Sequence, residues 1–390
     1  MAVPITPYQP SVAEDAILDL KTRLGNTRFP DEETVEDWSQ GIPLGYVREL
    51  TDHWRDQYDM ARLTETLNQW PNFKTELDGL DIHFLYQRSP HNDATPLILT
   101  HGWPGSVLEF RHVIDRLTNP TDHGGRAENA FHVVVPSIPG YGFSGKPRTP
   151  GTSVHKIAEL WIALMGRLGH ERFVAHGGDW GALITQAIAT TPESPCAGIH
   201  ITLPVVAPDP DTLDSPLPEE VKALEAFNYY QEWDSGYSKQ QSTRPQTLGY
   251  SLADSPTGQM AWIVEKYAQW CDCERNGVRH PENAVARDEL LDTVMMYWLT
   301  NAGASSARLY WESFNEPDMA HVTMPTGISL FPNEIFRSSE RWAQKKFLSL
   351  VYFNDKIDKG GHFAALEVPD TLVQELWHWR EALRTQEVLA

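Results

Sequence analysis

Arg172-Phe-Val-Ala-His-Gly-Gly-Asp-Trp-Gly181 runs from a short apolar strand into a sharp turn, and Ala182-Leu-Ile-Thr-Gln-Ala-Ile-Ala189 then reads as a helix. A chain that passes from strand to helix within a few residues brings its own backbone into close contact, so small residues must flank the apex. Gly177 and Gly181 stand at those flanks, with Asp179 between them. Such an apex residue is held in strained geometry at the start of the helix, its side chain clear of the sheet. A carboxylate there is ionised at neutral pH without help from a base. It can attack an electrophilic sp³ carbon directly and form an ester. Asp179 as a plain helix cap is the bland alternative, but a cap leaves both glycines unexplained.

Outward from this turn, strand-like runs fall at 81–87, 96–100, 131–135 and 172–175, separated by helix-like stretches at 106–118 and 153–168. Near-continuous apolar strands alternating with helices indicate a parallel sheet covered on both faces. The glycine-flanked apex then reads as the nucleophile elbow of the α/β-hydrolase fold, with Asp179 where Ser usually stands. Residues 1–75 read as a Trp-rich helical extension without a long hydrophobic strand. Its first helix is predicted to start at a Ser11–Glu14 capping box and to stop at Gly25, with further helices at 43–54 and 58–69. From 204 the strand signal fades into a Pro- and Asp-rich linker and helices, and strands return at 326–331 and 347–353. The expected division is an extension (1–75), a core first part (76–203), a helical lid (204–320) and a core second part (321–390). Insertions at the C-terminal ends of parallel strands cover the crevice where ligands bind.

Leu97-Ile-Leu-Thr-His101-Gly-Trp-Pro-Gly105 is a second strand entering a tight turn. In this fold, backbone N–H groups from that loop and from the residue after the nucleophile form the oxyanion hole, which assigns the Trp103 and Trp180 N–H groups. Gly140-Tyr-Gly-Phe-Ser-Gly145 matches the dinucleotide fingerprint letter for letter. Pro139 precedes it and Pro147 follows in place of a helix, so no helix N-terminus awaits a pyrophosphate, and it reads as a turn. Glu334 lies just past strand 326–331, and His362, flanked by Gly360 and Gly361, follows the last strand. A His in that place suits a general base, and Asp179, Glu334, His362 keep the order nucleophile, acid, histidine. Asp355 and Asp358 compete with Glu334 as the acid that orients the imidazole, and Glu334 is favoured because it follows the earlier strand.

The chain has 32 Lys plus Arg against 53 Asp plus Glu, a formal net charge of −21, and no basic stripe, which excludes nucleic acid as a partner. Three cysteines make no disulfide framework, and Cys271-Asp-Cys273 lacks the second pair that a zinc site needs. Free thiols and an N-terminus that carries Glu14 and Asp15 before its first Lys point to a cytoplasmic protein. The longest apolar runs fall short of the roughly 20 residues of a membrane span.

With these residues in hand, the chain resembles the epoxide hydrolases, specifically the microsomal and juvenile-hormone branch. The likeness covers nearly the whole length. It rests on Thr27-Arg-Phe-Pro30, Trp54, Tyr58-Asp59, Leu67-Asn68, His101-Gly-Trp-Pro104, Gly140-Tyr-Gly-Phe-Ser144, Gly178-Asp-Trp-Gly181 and Gly361-His-Phe-Ala-Ala365. The membrane-anchoring helix of microsomal members is missing, which fits a soluble enzyme. The resemblance implies two lid tyrosines that hold the epoxide oxygen, matched here by Tyr237 in Ser235-Gly-Tyr-Ser-Lys-Gln240 and Tyr310 in Ala307-Arg-Leu-Tyr-Trp-Glu312. It implies ester formation at Asp179, hydrolysis by water activated at His362 with Glu334, and no metal or organic cofactor. Fourteen Trp and a large lid suggest an apolar or aromatic epoxide as the substrate. A haloalkane dehalogenase would use the same Asp ester and His-activated water, and a catalytically silent binder would keep the pocket alone. A homodimer is left open.

Overall fold

The computed structural model describes residues 4–314 and 320–389; the end of the expected lid, 315–319, lies outside them. Among the described residues eleven strands occur in chain order: β1 (Thr6–Tyr8), β2 (Asn72–Leu77), β3 (Leu80–Gln87), β4 (Thr95–Thr100), β5 (Phe131–Pro136), β6 (Phe173–Gly177), β7 (Cys196–Ile201), β8 (Glu274–Arg275), β9 (Val278–Arg279), β10 (Thr326–Ser329) and β11 (Leu350–Asn354). β8 and β9 form a small hairpin, and the other nine make one sheet in the order β1-β2-β3-β5-β4-β6-β7-β10-β11. From β5 to β11 every neighbour is parallel, while β1, β2 and β3 add an antiparallel edge. Every residue of β5, β6 and β7 is buried. This is the two-sided cover that their apolar runs demand, supplied by helices such as Val154–Arg167 and Asp179–Thr190.

Some sequence expectations need correction. The extension is not purely helical, because β1 and β2 belong to the sheet and β2 straddles residue 75. β7 escaped the sequence pattern. Cys196-Ala-Gly-Ile-His-Ile201 is poor in β-branched residues at its start, and its strand state comes from its position between β6 and β10. The first helix runs Glu14–Gly25 with Ala13 at its N-cap and no side-chain cap, so Ser11 is not its cap; the acidic Glu14 and Asp15 meet the positive helix end instead. Gly25 is its last residue and Asn26 the C-cap. The helix expected over 106–118 is two pieces, a 3₁₀ turn Val107–Phe110 and a helix Ile114–Thr118. At the break, the Leu108 carbonyl accepts from both the N–H and the guanidinium of Arg111, whose side chain turns inward.

That inward turn leads to Asp292, a fully buried carboxylate on helix Arg287–Leu299 of the insertion between β7 and β10. Arg111 reaches Asp292 Oδ2 at 2.6 Å, Arg62 reaches the same oxygen at 3.1 Å, and the Tyr58 hydroxyl donates to Oδ1 at 2.6 Å. One carboxylate thereby ties the extension, the sheet domain and the insertion together. Around it, His53 meets Asp288 at 2.7 Å, His112 meets Glu289 at 2.8 Å, and Arg287 meets Glu49 at 2.6 Å. Removing one partner of a buried ion pair strands the other, at a cost of about 3–5 kcal/mol. Asp292→Ala is therefore expected to lower the denaturant midpoint far more than Asp288→Ala, since the Asp288 side chain is itself exposed.

Candidate active site

The elbow is as tight as its glycines require. A Cβ on Gly177 would lie 2.2 Å from the Gly181 carbonyl oxygen, and one on Gly181 would lie 1.9 Å from the Thr100 oxygen. Asp179 itself has φ +48°, in the left-handed region that non-glycine residues rarely adopt. Strain of this kind persists only where the surroundings impose it, and it clusters at functional sites. Asp179 is the first residue of helix Asp179–Thr190. The Trp103 N–H donates to its Oδ1 at 2.8 Å. Gly102 makes that approach possible, since a Cβ there would stand 2.1 Å from the same oxygen. Trp180 follows in the first helical turn, where backbone N–H groups have no carbonyl a turn earlier inside the helix to receive them.

The other carboxylate oxygen, Oδ2, lies 3.3 Å from His362 Nε2. His362 Nδ1 meets Glu334 Oε1 at 2.6 Å. Of the three acids considered, Glu334 therefore stands behind the imidazole, while Asp355 pairs with Lys356. The loops that carry the acid and the histidine are joined through their backbones, Asn333 bridging Gly361 and its N–H donating to the Gly360 carbonyl at 3.2 Å. Burial alone would depress the imidazole. The Glu334 and Asp179 carboxylates outweigh it and hold His362 well above its ordinary value.

Tyr237 and Tyr310 lie on different helices of the insertion, Gly236–Thr243 and Gly303–Ser313, and the fold brings their ring centres within 5.8 Å. Tyr237 stacks on Trp103 at 5.0 Å, and Tyr310 stands edge-on to Trp180 at 4.7 Å. The Tyr310 hydroxyl is buried and has no hydrogen-bond partner among the described residues. The 140–145 segment is indeed a turn, closed by Gly140 N–H on the Gly145 carbonyl at 2.9 Å. Its use was not legible in the sequence. Ser305 Oγ donates to the Gly140 carbonyl at 2.6 Å and Tyr141 to the Ser306 carbonyl at 3.1 Å, which seats the helix that carries Tyr310.

Sequence reasoning also missed Trp270, Glu109 and Tyr230. The Trp270 ring packs 4.9 Å from His362 and 5.2 Å from Tyr237, and its carbonyl accepts the His362 N–H at 3.0 Å. Nothing separates it, as a letter, from thirteen other tryptophans. Glu109 is the one charge in Ser106-Val-Leu-Glu-Phe110, and that isolation was the available signal. Its carboxyl fills the space beside Gly105, where a Cβ would meet it at 2.4 Å. Burial pushes it up to about 8, with the Asp179 and Glu334 charges adding to the rise and His362 opposing it. The three cysteines are free and buried.

Two family models match, "Epoxide hydrolase N terminus" over residues 5–110 and "alpha/beta hydrolase fold" over 95–252. A Stigmatella aurantiaca protein named "Putative epoxide hydrolase" is 49% identical over 97% of this chain and 85% of its own length. The chain belongs to the epoxide hydrolase family. "Epoxide hydrolase 1" of Sus scrofa is 34% identical over 98% of this chain and 90% of its own. The crystal structure of juvenile hormone epoxide hydrolase from Bombyx mori superposes with a TM-score of 0.90 at 29% identity, covering 99% of this chain and 96% of that one. The α/β-hydrolase fold, the juvenile-hormone-type branch and epoxide hydrolysis as the activity thus stand together. No helix among the described residues is long and apolar enough to cross a membrane.

Glu109 gives this site a stability signature. A carboxyl raised on folding keeps its proton after the unfolded chain has lost its own near pH 4.3. Stability therefore falls as pH climbs from about 4.3 towards about 8, and is level above that. Glu109→Gln removes this contribution. Its thermal midpoint is expected to exceed the wild type's by more at pH 8.5 than at pH 4.5, in parallel calorimetric scans.

Proposed function

We propose that the enzyme opens an apolar or aromatic epoxide through a covalent ester of Asp179. The observation that carries this reading is the division of labour between the two Asp179 oxygens. Oδ1 is engaged by the Trp103 N–H, whereas Oδ2 lies 3.3 Å from His362 Nε2. Oδ2 is then the attacking atom, and Oδ1 is the carbonyl oxygen that becomes an oxyanion during hydrolysis. The Trp103 and Trp180 N–H groups would hold that oxyanion, an arrangement worth roughly 3–4 kcal/mol per donor in other hydrolases.

The protons balance over one turnover. Oδ2 attacks a ring carbon, the C–O bond breaks, and the oxygen takes a proton from a tyrosine. His362 begins protonated, because two carboxylates flank it. Ester formation cancels the Asp179 charge, so the imidazole loses one of the two partners that raised it and releases its proton, which restores the tyrosine. Neutral His362, oriented by Glu334, next takes a proton from water as the hydroxide adds to the ester carbon. Collapse expels the diol, which carries away the remaining hydroxyl proton. Asp179 is again a carboxylate and His362 an imidazolium.

Aromatic rings supplied by Trp103, Trp180, Trp270, Tyr237 and Tyr310 support an apolar or aromatic substrate. We assign the insertion as the lid, since it brings both tyrosines to the nucleophile. Buried free thiols fit a cytoplasmic setting. Against a dehalogenase stands the pair of hydroxyls, because a departing halide needs no proton.

His362→Gln, mixed with styrene oxide or 1-chlorohexane and weighed intact, tests the route. A mass gain equal to the whole epoxide, mapped to Asp179, is expected. A gain of the alkyl group from the chloride alone would install the dehalogenase, and no adduct from either would leave a pocket that only binds. Tyr310→Phe is expected to slow adduct formation from styrene oxide at least about tenfold, the scale of one hydrogen bond to a developing charge.

A further inference from the structure

We infer that Tyr230 is a positioning residue that makes Tyr237, rather than Tyr310, the tyrosine that gives up its proton. The inference rests on the reading of the two lid tyrosines above. Tyr230 is buried and opens the π-helical turn Tyr230–Asp234, directly before the helix that carries Tyr237. Its ring is fixed by Phe336 at 4.8 Å. Its hydroxyl lies 3.3 Å from the Tyr237 hydroxyl and 3.2 Å from Ser238 Oγ.

The donor directions follow from counting protons. A Ser hydroxyl has one proton and two acceptor sites. Ser238 spends its proton on the Ser235 carbonyl at 2.8 Å, so towards Tyr230 it can only accept. Tyr230 therefore holds one proton between two acceptors, Ser238 Oγ and the Tyr237 oxygen. As Tyr237 yields its proton to the opening epoxide, its oxygen gains charge, and a charge-assisted hydrogen bond is shorter and about twice as strong as a neutral one. The Tyr230 proton then turns wholly to Tyr237, while Ser238 keeps its bond to Ser235. Tyr230 transfers nothing; it stabilises the tyrosinate until the proton released by His362 restores it.

Tyr310 has no such support, its hydroxyl being without a protein partner among the described residues. A tyrosinate there would have no hydroxyl to hold it, only the Trp180 indole edge-on at 4.7 Å, with the Asp179 charge opposing it. Tyr310 is accordingly the oxygen-orienting hydroxyl and Tyr237 the proton source. Lys266 Nζ, 4.8 Å from the Tyr237 ring centre, leans the same way, but Asp234 at 2.6 Å and Glu265 at 2.8 Å already balance its charge. The hydrogen bond carries the asymmetry.

The test is a double-mutant cycle read in single turnovers, following tryptophan fluorescence as styrene oxide alkylates excess enzyme. Tyr230→Phe keeps the ring and its packing. It is expected to slow alkylation about tenfold, as loss of one hydrogen bond to a charged group would, with substrate dissociation constant and ester hydrolysis unchanged. In the Tyr237→Phe background the same substitution is expected to change nothing, since its only route to the substrate is gone. Wild-type alkylation by Tyr230→Phe, or an equal slowing with and without Tyr237, overturns the inference. If Tyr237→Phe itself alkylates at the wild-type rate, the lid-acid reading fails and takes this one with it. If Tyr237→Phe is slow and Tyr230→Phe is not, only the role of Tyr230 is lost.

Discussion

Helix Asp179–Thr190 packs so closely on the sheet that Gly181 meets the carbonyls of Thr100 and His101 with no room for a side-chain carbon. Everything else in the site is arranged around this contact. It forces the chain to reverse within three residues, puts Asp179 into the left-handed region, and delivers its carboxylate to the Trp103 N–H. The same contact brings the end of β4 beside the end of β6, so the Trp103 loop and Asp179 are set by one piece of packing. The backbone strain at Asp179 is what fixed geometry costs, and the buried sheet around it supplies the stability.

The second organising element is polar. Asp292 gathers Tyr58, Arg62 and Arg111 from outside the insertion. A fully buried carboxylate without partners would be costly to desolvate, so these contacts specify how the extension and the insertion meet. That docking matters for the site, because the insertion carries Tyr237 and Tyr310 while the sheet carries Asp179, Glu334 and His362. The Gly140–Gly145 turn adds a second anchor through Ser305 and Tyr141. Neither anchor touches the reacting atoms, and both decide where those atoms can meet.

Electrostatically, the site concentrates four carboxyls, Asp179, Glu334, Glu109 and Glu367, around one imidazole. Glu334 and Asp179 contact it, at 2.6 and 3.3 Å. Glu109 and Glu367 are pushed by burial up to about 8 and about 7. Raising two of the four towards their neutral form eases the repulsion and leaves His362 answerable to the two that touch it. Glu367 also accepts the N–H groups of Phe363 and Asp272, which pins the histidine loop to the segment that follows Trp270.

The sequence by itself determined the tight strand-to-helix turn, the chain order Asp179, Glu334, His362, the alternation of strand and helix and the motifs around Tyr237 and Tyr310. In each case the signal is local: glycines where a Cβ has no room, apolar runs where a strand is covered on both faces, a short motif around each tyrosine. It favoured Glu334 over Asp355 and Asp358 only through its place after the earlier strand. What sets Glu334 against His362 is the bridge between Asn333 and Gly361, a contact between loops far apart in the chain. Only the tertiary structure turned Cys196–Ile201 into a strand, broke the 106–118 helix at Arg111, and picked Trp270, Glu109 and Tyr230 from among chemically ordinary residues. The reason is the same each time. Propensity and periodicity act over a few neighbouring residues, whereas burial, ion pairing and the direction of a hydroxyl proton depend on groups that meet only once the chain has folded.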